Sequence, residues 1–278
     1  CVCVRLVKAN DMDLSLLQFD YDLTFAVLFM NADRTIYGRY GTRTEVDDAE
    51  KDISMEGLAA ALRGALQLHA QYPDNKAQLA AKQPRPTSFQ TPDSLPSLRG
   101  KYKKGLDYEG QVVRSCLHCH QIRDAKREEY RTAGKPIPDE LLFPYPMPSV
   151  MGIELDPTQA SDVKRVISDS PAAKAGVQSG DKIATITGQP ILSTADIQWV
   201  LHTAPSKATL EVGLKRGSET RSVAIELAEG WRRASNIDWR VTTWALRRMA
   251  AGGLVLKSVP EADRSKLSTE TGQMALRV

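Results

Sequence analysis

The sequence predicts an α+β protein of several domains. Its 278 residues exceed one typical domain of roughly 100–150 residues. Short β-branched, strand-like runs sit beside amphipathic helical patterns. Composition shifts sharply over residues 73–106, where Pro, Gln, Lys, Ser and Gly dominate. An apolar fraction of 42% and a charged fraction of 26% exclude wholesale disorder. No apolar run approaches the roughly 18 residues of a membrane-spanning helix. The 37 Lys+Arg against 34 Asp+Glu leave a formal +3, too mild a surplus to point to nucleic acid.

The chain opens on Cys1-Val-Cys-Val-Arg-Leu-Val7, which alternates like a strand already under way, and closes on Met274-Ala-Leu-Arg-Val278, which looks like another beginning. With no initiator Met and no signal-peptide layout, the expectation is a piece excised from a longer protein, any membrane anchor lying outside it. The rival reading makes Cys1 the acylated residue of a lipoprotein, but the polar tether that normally follows is missing.

Residues 1–72 read as strand, strand, strand, helix. Thr24-Phe-Ala-Val-Leu-Phe-Met30 is a continuous apolar run of the kind a strand buried on both faces shows. Asn31-Ala-Asp-Arg34 turns the chain into a return strand, Thr35–Tyr40. Ser54 caps a helix with Leu58, Leu62, Ala65, Leu66 and His69 as its apolar face, ending at Tyr72-Pro73. This order resembles the C-terminal half of a thioredoxin-like α/β domain. The resemblance puts the family's redox cysteine pair before Cys1, and Asp22-Leu23 replaces its cis-proline. Cys1 and Cys3 read as small core hydrophobes of a strand rather than redox partners. Residues 73–106, with Pro84, Pro86, Pro92 and Pro96, read as a linker, and Lys101-Tyr-Lys-Lys104 as a solvated basic cluster.

Residues 107–149 hold Cys116-Leu-His-Cys-His120, the attachment pattern of a covalent c-type haem. Two thiols on one helical turn can each add to a haem vinyl group, while His120 offers its imidazole to the iron. Helix formers follow through Tyr130, and Phe143-Pro-Tyr-Pro-Met-Pro148 places Met147 on a proline-stiffened loop resembling the sixth-ligand loop of class I cytochromes c. Met151 is the nearest alternative ligand. The expectation is one covalent haem c held by Cys116, Cys119, His120 and Met147, with His120 and Met147 on the metal. Zinc would need further ligands, and only His69 and His202 remain outside the motif. A bare disulfide or dithiol stays open.

Residues 150–229 carry Ser168-Asp-Ser-Pro-Ala-Ala-Lys-Ala-Gly-Val-Gln-Ser-Gly-Asp181, then Lys182–Gly188, a helix capped by Ser193 and a closing hairpin over 210–227. This set resembles a bacterial PDZ domain, a β-barrel-like fold. The resemblance implies a groove between Gly152–Leu155 and the helix Thr194–Thr203 that receives peptide C-termini by strand addition. Val150, Met151, Gly152 and Ile153 would form the carboxylate-binding loop with free backbone N–H groups. Ile197, Val200 and Leu201 would supply apolar helix contacts. Residues 230–278 bring Trp231, Trp239, Trp244 and several arginines, then Gly252-Gly-Leu-Val-Leu-Lys257 as a strand-like start of a further module.

Together these parts resemble a family of bacterial thioredoxin-like/PDZ proteins, some of them selenoproteins. The function expected is an extracytoplasmic redox protein of the periplasm or cell envelope, in which the haem transfers electrons and the PDZ domain docks a peptide or protein partner. Two other readings stay open: a PDZ scaffold whose Cys116 and Cys119 form only a disulfide, and a thiol oxidoreductase with its cysteines upstream. No Ser/His/Asp set falls at a recognisable protease motif, which favours an electron-transfer and binding protein over a hydrolase.

Overall fold

In the computed structural model of the chain, the described residues are 1–45, 51–103, 105–254, 256–264, 266 and 275–278. They divide into two units, Cys1–Asn236 and Ile237–Val278, where the sequence suggested five segments.

The first seven residues form no strand and stand in solvent, Val2 at 92% and Val4 at 84% exposure. An alternating sequence becomes a strand only where a neighbour receives its ladder bonds, and none is there. Cys1 and Cys3 are accordingly exposed free thiols, not core hydrophobes. Strands β1 (Val27–Met30) and β2 (Ile36–Tyr40) form the expected antiparallel hairpin, closed by Asn31 N–H on Thr35 O at 2.9 Å. It stays two-stranded, so β1 is half-buried rather than covered on both faces. A thioredoxin-like half needs a larger central sheet, and that expectation finds no support. Helix α1 (Met55–Ala70) starts on the Ser54 cap, whose Oγ accepts from Gly57 N–H. Its inward face is not the leucine face: Gly57, Ala61 and Ala65 are buried, while Leu62 and Leu66 are exposed. Close approach selects the small residues, since a Cβ at Gly57 would stand 2.1 Å from Pro157 O and one at Gly64 2.7 Å from Leu192 Cδ2.

The proline-rich stretch is an ordered arm. It holds α2 (Lys76–Leu79) and 3-10 turns at Ala80–Lys82, Pro92–Ser94 and Pro96–Leu98, with Leu79, Leu95 and Leu98 buried. Then come α3 (Val112–Ser115), α4 (Cys119–Thr132) and α5 (Asp139–Leu142). One apolar cluster joins Met12, Leu14 and Tyr21 to Leu95 and Leu98 and to Leu117 and Ile122. Asn10 staples it, donating to Lys103 O and Ser115 O and accepting from Leu117 N–H. Lys101 and Lys103 are exposed, as a solvated cluster should be, and Lys104 lies outside the described residues.

Residues 150–229 follow their sequence pattern closely. Strands β3 (Ile153–Leu155) and β4 (Val163–Val166) pair, α6 (Pro171–Lys174) starts on Ser170, and β5 (Lys182–Ile186) joins β6 (Gln189–Pro190). Helix α7 (Thr194–Thr203) is capped by Ser193, and β7 (Ala208–Arg216) and β8 (Glu219–Leu227) close the sheet in the order β6-β5-β7-β8. The motif's Asp181 is fully buried and takes a bidentate grip from Arg216 at 2.7 and 2.8 Å, which holds its carboxyl below the usual range. Trp231 packs against this core, its indole N–H on Pro205 O. In the second unit, α8 (Thr243–Ala251) precedes a two-stranded pairing of β9 (Lys257–Ser258) with β10 (Leu276–Arg277), and α9 (Glu261–Arg264) lies between them in sequence. The strand-like run expected from Gly252 begins pairing only at Lys257, and Val255 lies outside the described residues.

Every residue of α7 from Ala195 to Leu201 is buried. Ile197, Val200 and Leu201 face the PDZ-like core, whereas Asp196 and Trp199 face the N-terminal segment. Asp196 accepts from Leu192 N–H and Arg39 N–H and pairs with Lys82 Nζ at 2.9 Å, both side chains 1% exposed. The Arg39 guanidinium lies 3.9 Å from the Trp199 ring centroid, and Trp199 donates to Ala81 O. Asp196→Ala would strand Lys82 as an uncompensated buried cation, so chemical denaturation should show a loss of about 3–5 kcal/mol. A loss below about 1 kcal/mol, the range of an exposed pair, would remove α7 as the anchor of the unit.

Candidate functional site

The loop before β3 is a 3-10 turn, Pro148–Met151, ended by Gly152 at φ +85°. This conformation suits glycine, and a Cβ there would meet Ser170 Cβ at 2.1 Å. Val150 N–H is spent on Met147 O and Gly152 N–H on Ser149 O. The loop thus holds its own amides in a closed turn, where the sequence led us to expect them free for an anion. Strand β3 pairs with β4 alone among the described residues, leaving its other edge without a ladder neighbour.

The far wall is α7, but Ile197, Val200 and Leu201, at 0, 4 and 0% exposure, belong to the core, as do Met151 and Ile153. Other residues cover the helix. Gln198 Nε2 donates to Tyr145 O at 2.9 Å, and the Tyr145 ring stacks on His202 with centroids 4.1 Å apart. At the helix start, Ser193 Oγ donates to Arg39 O, while across the gap Ser54 Oγ donates to Pro157 O. A space of about 10 Å³ remains between them, lined by Tyr40, Thr42, Ile53, Pro157 and Ala195 among others. The N-terminal segment bridges the two walls. Tyr145 and Thr42 carry no local pattern that marks them, because they reach α7 from separate segments.

The cysteine motif folds differently from the reading above. Cys116 is extended and lies just before buried Leu117, His118 caps α4, and Cys119 is its first residue. Cys119 packs against the apolar cluster, and burial pushes its thiol pKa up. His120 Nδ1 lies 3.9 Å from Asp124 Oδ2. Met147 Sδ accepts a hydrogen bond from buried Thr42 Oγ1 at 3.2 Å, next to the loop before β3. Both Cys116 and Cys119 are free thiols. Among the described residues no group of three or more His, Cys, Asp and Glu could hold a metal ion. A haem needs both thiols and His120 facing one open space, and Leu117 and Cys119 are instead turned into packed side chains, so these residues do not fit the group.

The model of the PDZ domain family matches residues 149–227, and this segment is a PDZ domain. The periplasmic serine endoprotease DegP of Escherichia coli (strain K12) is 34% identical over 77 residues, 28% of this chain and 16% of that protein. A probable periplasmic serine endoprotease DegP-like of Pseudomonas putida (strain W619) is 43% identical over 60 residues, 21% of this chain and 12% of that protein. Among solved structures, the HtrA3 PDZ domain bound to a phage-derived ligand aligns over 27% of this chain and 81% of its own, at 23% identity and a TM-score of 0.24. The chain therefore spans under a fifth of the length of these curated relatives. The relatives are named as serine endoproteases. With the packing around Cys119 and Met147, that overturns the expectation of a redox protein carrying one covalent haem c for electron transfer.

Reaction with a disulfide-exchange reagent at pH 8 should modify Cys1 and Cys3 first and Cys119 last, because raised pKa and burial both lower its thiolate access. Peptide mass mapping over time checks the order. Cys119 reacting as fast as Cys1 would contradict its packing.

Proposed function

We propose that this chain is a peptide-binding module of a protein outside the cytoplasm, and that its PDZ domain receives a peptide C-terminus beside β3. The observation that carries the reading is the unpaired edge of β3 in a segment that is a PDZ domain. An extended peptide laid there gains main-chain ladder bonds, with pockets for alternate side chains supplying preference. The carboxylate would lie at the loop of Val150, Met151, Gly152 and Ile153, where it competes with the turn's own bonds, and Ile197, Val200 and Leu201 support the groove from within the core. The location follows the periplasmic relatives. Their proteolysis is not carried over, because the shared family segment is the PDZ domain and the likeness covers only 12 to 16% of those proteins.

In this reading the groove is self-occupied. Residues 40–42 and 52–54 fill its far end, so peptide entry displaces contacts the chain makes with itself. Peptide affinity is then the gross affinity reduced by the share of molecules that are closed.

Fluorescence anisotropy with a degenerate peptide set ending in Val, Leu, Ile or Phe should show binding of the free acids. The same peptides as C-terminal amides should bind more weakly by about tenfold, one charge-assisted hydrogen bond's worth. Ser54→Ala, which removes the bond to Pro157 O, should tighten binding by roughly two- to tenfold. Gly152→Val should abolish it. Equal binding of acids and amides, or none of either, would defeat the groove reading.

A further inference from the structure

On the side of α7 away from β3, two adjoining cavities of about 210 and 580 Å³ share Arg85, Glu140, His202 and Thr203 as lining residues. The smaller is walled by aromatic rings, Phe19, Tyr21, Tyr145 and Trp199, with Lys126 among them. A dry cavity of roughly 150 Å³ already accepts benzene, so a single ring fits here. The larger one is lined by Asp139 and Arg232 besides the shared residues.

The charges around this space do not balance. Arg123 is matched by Asp20 and Asp22 at 2.8 and 3.1 Å, and Asp139 by Arg233 at 2.9 Å. That leaves Arg85 and Lys126 with no carboxylate within ion-pair distance among the described residues, while Arg232 feels the charges of Glu140 and Asp139 beside it, and Arg85 spends one donor on Thr203 O. Arg232 is 4% exposed. Its Nη2 donates to His202 O and Ala204 O at the end of α7, its plane lies 4.5 Å from the Trp231 ring centroid, and its buried Nη1 has no partner. A buried guanidinium donor left unmatched costs stability unless an acceptor arrives. His202 Nδ1 is likewise without a partner, and burial holds this ring neutral, so it adds a polar edge and no charge. We propose that this cavity pair is a second ligand site, which takes a small aromatic carboxylate, its ring among Tyr21, Tyr145 and Trp199 and its carboxylate toward Arg232, Arg85 and Lys126. The site is separate from the β3 groove and does not rest on it.

Isothermal titration of the whole chain with phenylacetate tests it, with phenylacetamide as the neutral counterpart. Phenylacetate should bind and the amide should be weaker by about tenfold or more. Arg232→Gln should weaken phenylacetate by a similar factor. Arg85→Gln, at an exposed position whose side chain donates to Thr203 O, should weaken it several-fold if the buried variant fails to fold. Lys126 has its pKa pulled down to about 8 by burial and by Arg123. The charged and titratable groups that share its cavity are Arg123, Tyr21, Glu140, Arg85 and neutral His202. Affinity should therefore fall as pH rises from 7 to 9, and Lys126→Gln should flatten that dependence. Equal binding of acid and amide, no binding of either, or displacement of phenylacetate by the groove peptides would each overturn the proposal. Because the peptide assay reads the other side of α7, failure of one reading leaves the other standing.

Discussion

The structure depends on one carboxylate. Asp196 sits on the face of α7 that a free PDZ domain would show to water, and here it is 1% exposed, bound to Lys82 and to the amides of Arg39 and Leu192. Burial pulls the Lys82 pKa down while the charge of Asp196 and the bond between them work against that pull. Two cations, Lys82 and Arg39, surround one anion in a water-poor interface, an arrangement weak as a source of net stability but intolerant of any other register. It ties β2, the arm and α7 into a single unit.

That tie explains the state of the groove. Once β2 runs along α7 through Asp196 and Trp199, the chain leaving β2 is delivered to the gap between Ser193 and Pro157, and the start of α1 meets Pro157 from the other side. The small face of α1, Gly57, Ala61 and Ala65, is what lets a helix approach this closely. The same packing leaves the opposite flank of α7 facing α4, α5 and the arm, where the aromatic and cationic residues collect. One helix thus serves as the wall of two different spaces.

The Cys-x-x-Cys-His pattern shows how far spacing alone can carry a chemical reading. Its helix is real: His118 accepts the cap position and α4 runs to Thr132. What spacing could not reveal is which way the turn faces. Asn10, more than a hundred residues earlier, holds Leu117 by its amide and turns the middle of the motif into a core shared with Leu95 and Ile122. Met147 is equally captured, by Thr42 rather than by a metal. Both captures come from residues far away in sequence, which no local reading contains.

Local chemistry alone determined the hairpin at Asn31–Arg34, the Ser54 and Ser193 caps, and the PDZ order from Ser170 through Asp181 to the closing hairpin. Each of these is decided by residues within a few positions of one another, through turns, caps and pairing of adjacent strands. The tertiary structure decided the rest. It left the alternating first residues unpaired, turned α1 so that its alanines and not its leucines face inward, and folded the proline-rich arm into the unit. It buried α7 on all sides. These outcomes depend on what lies across a gap, and a strand, a helix face or a thiol takes its environment from partners that the chain brings in from a distance.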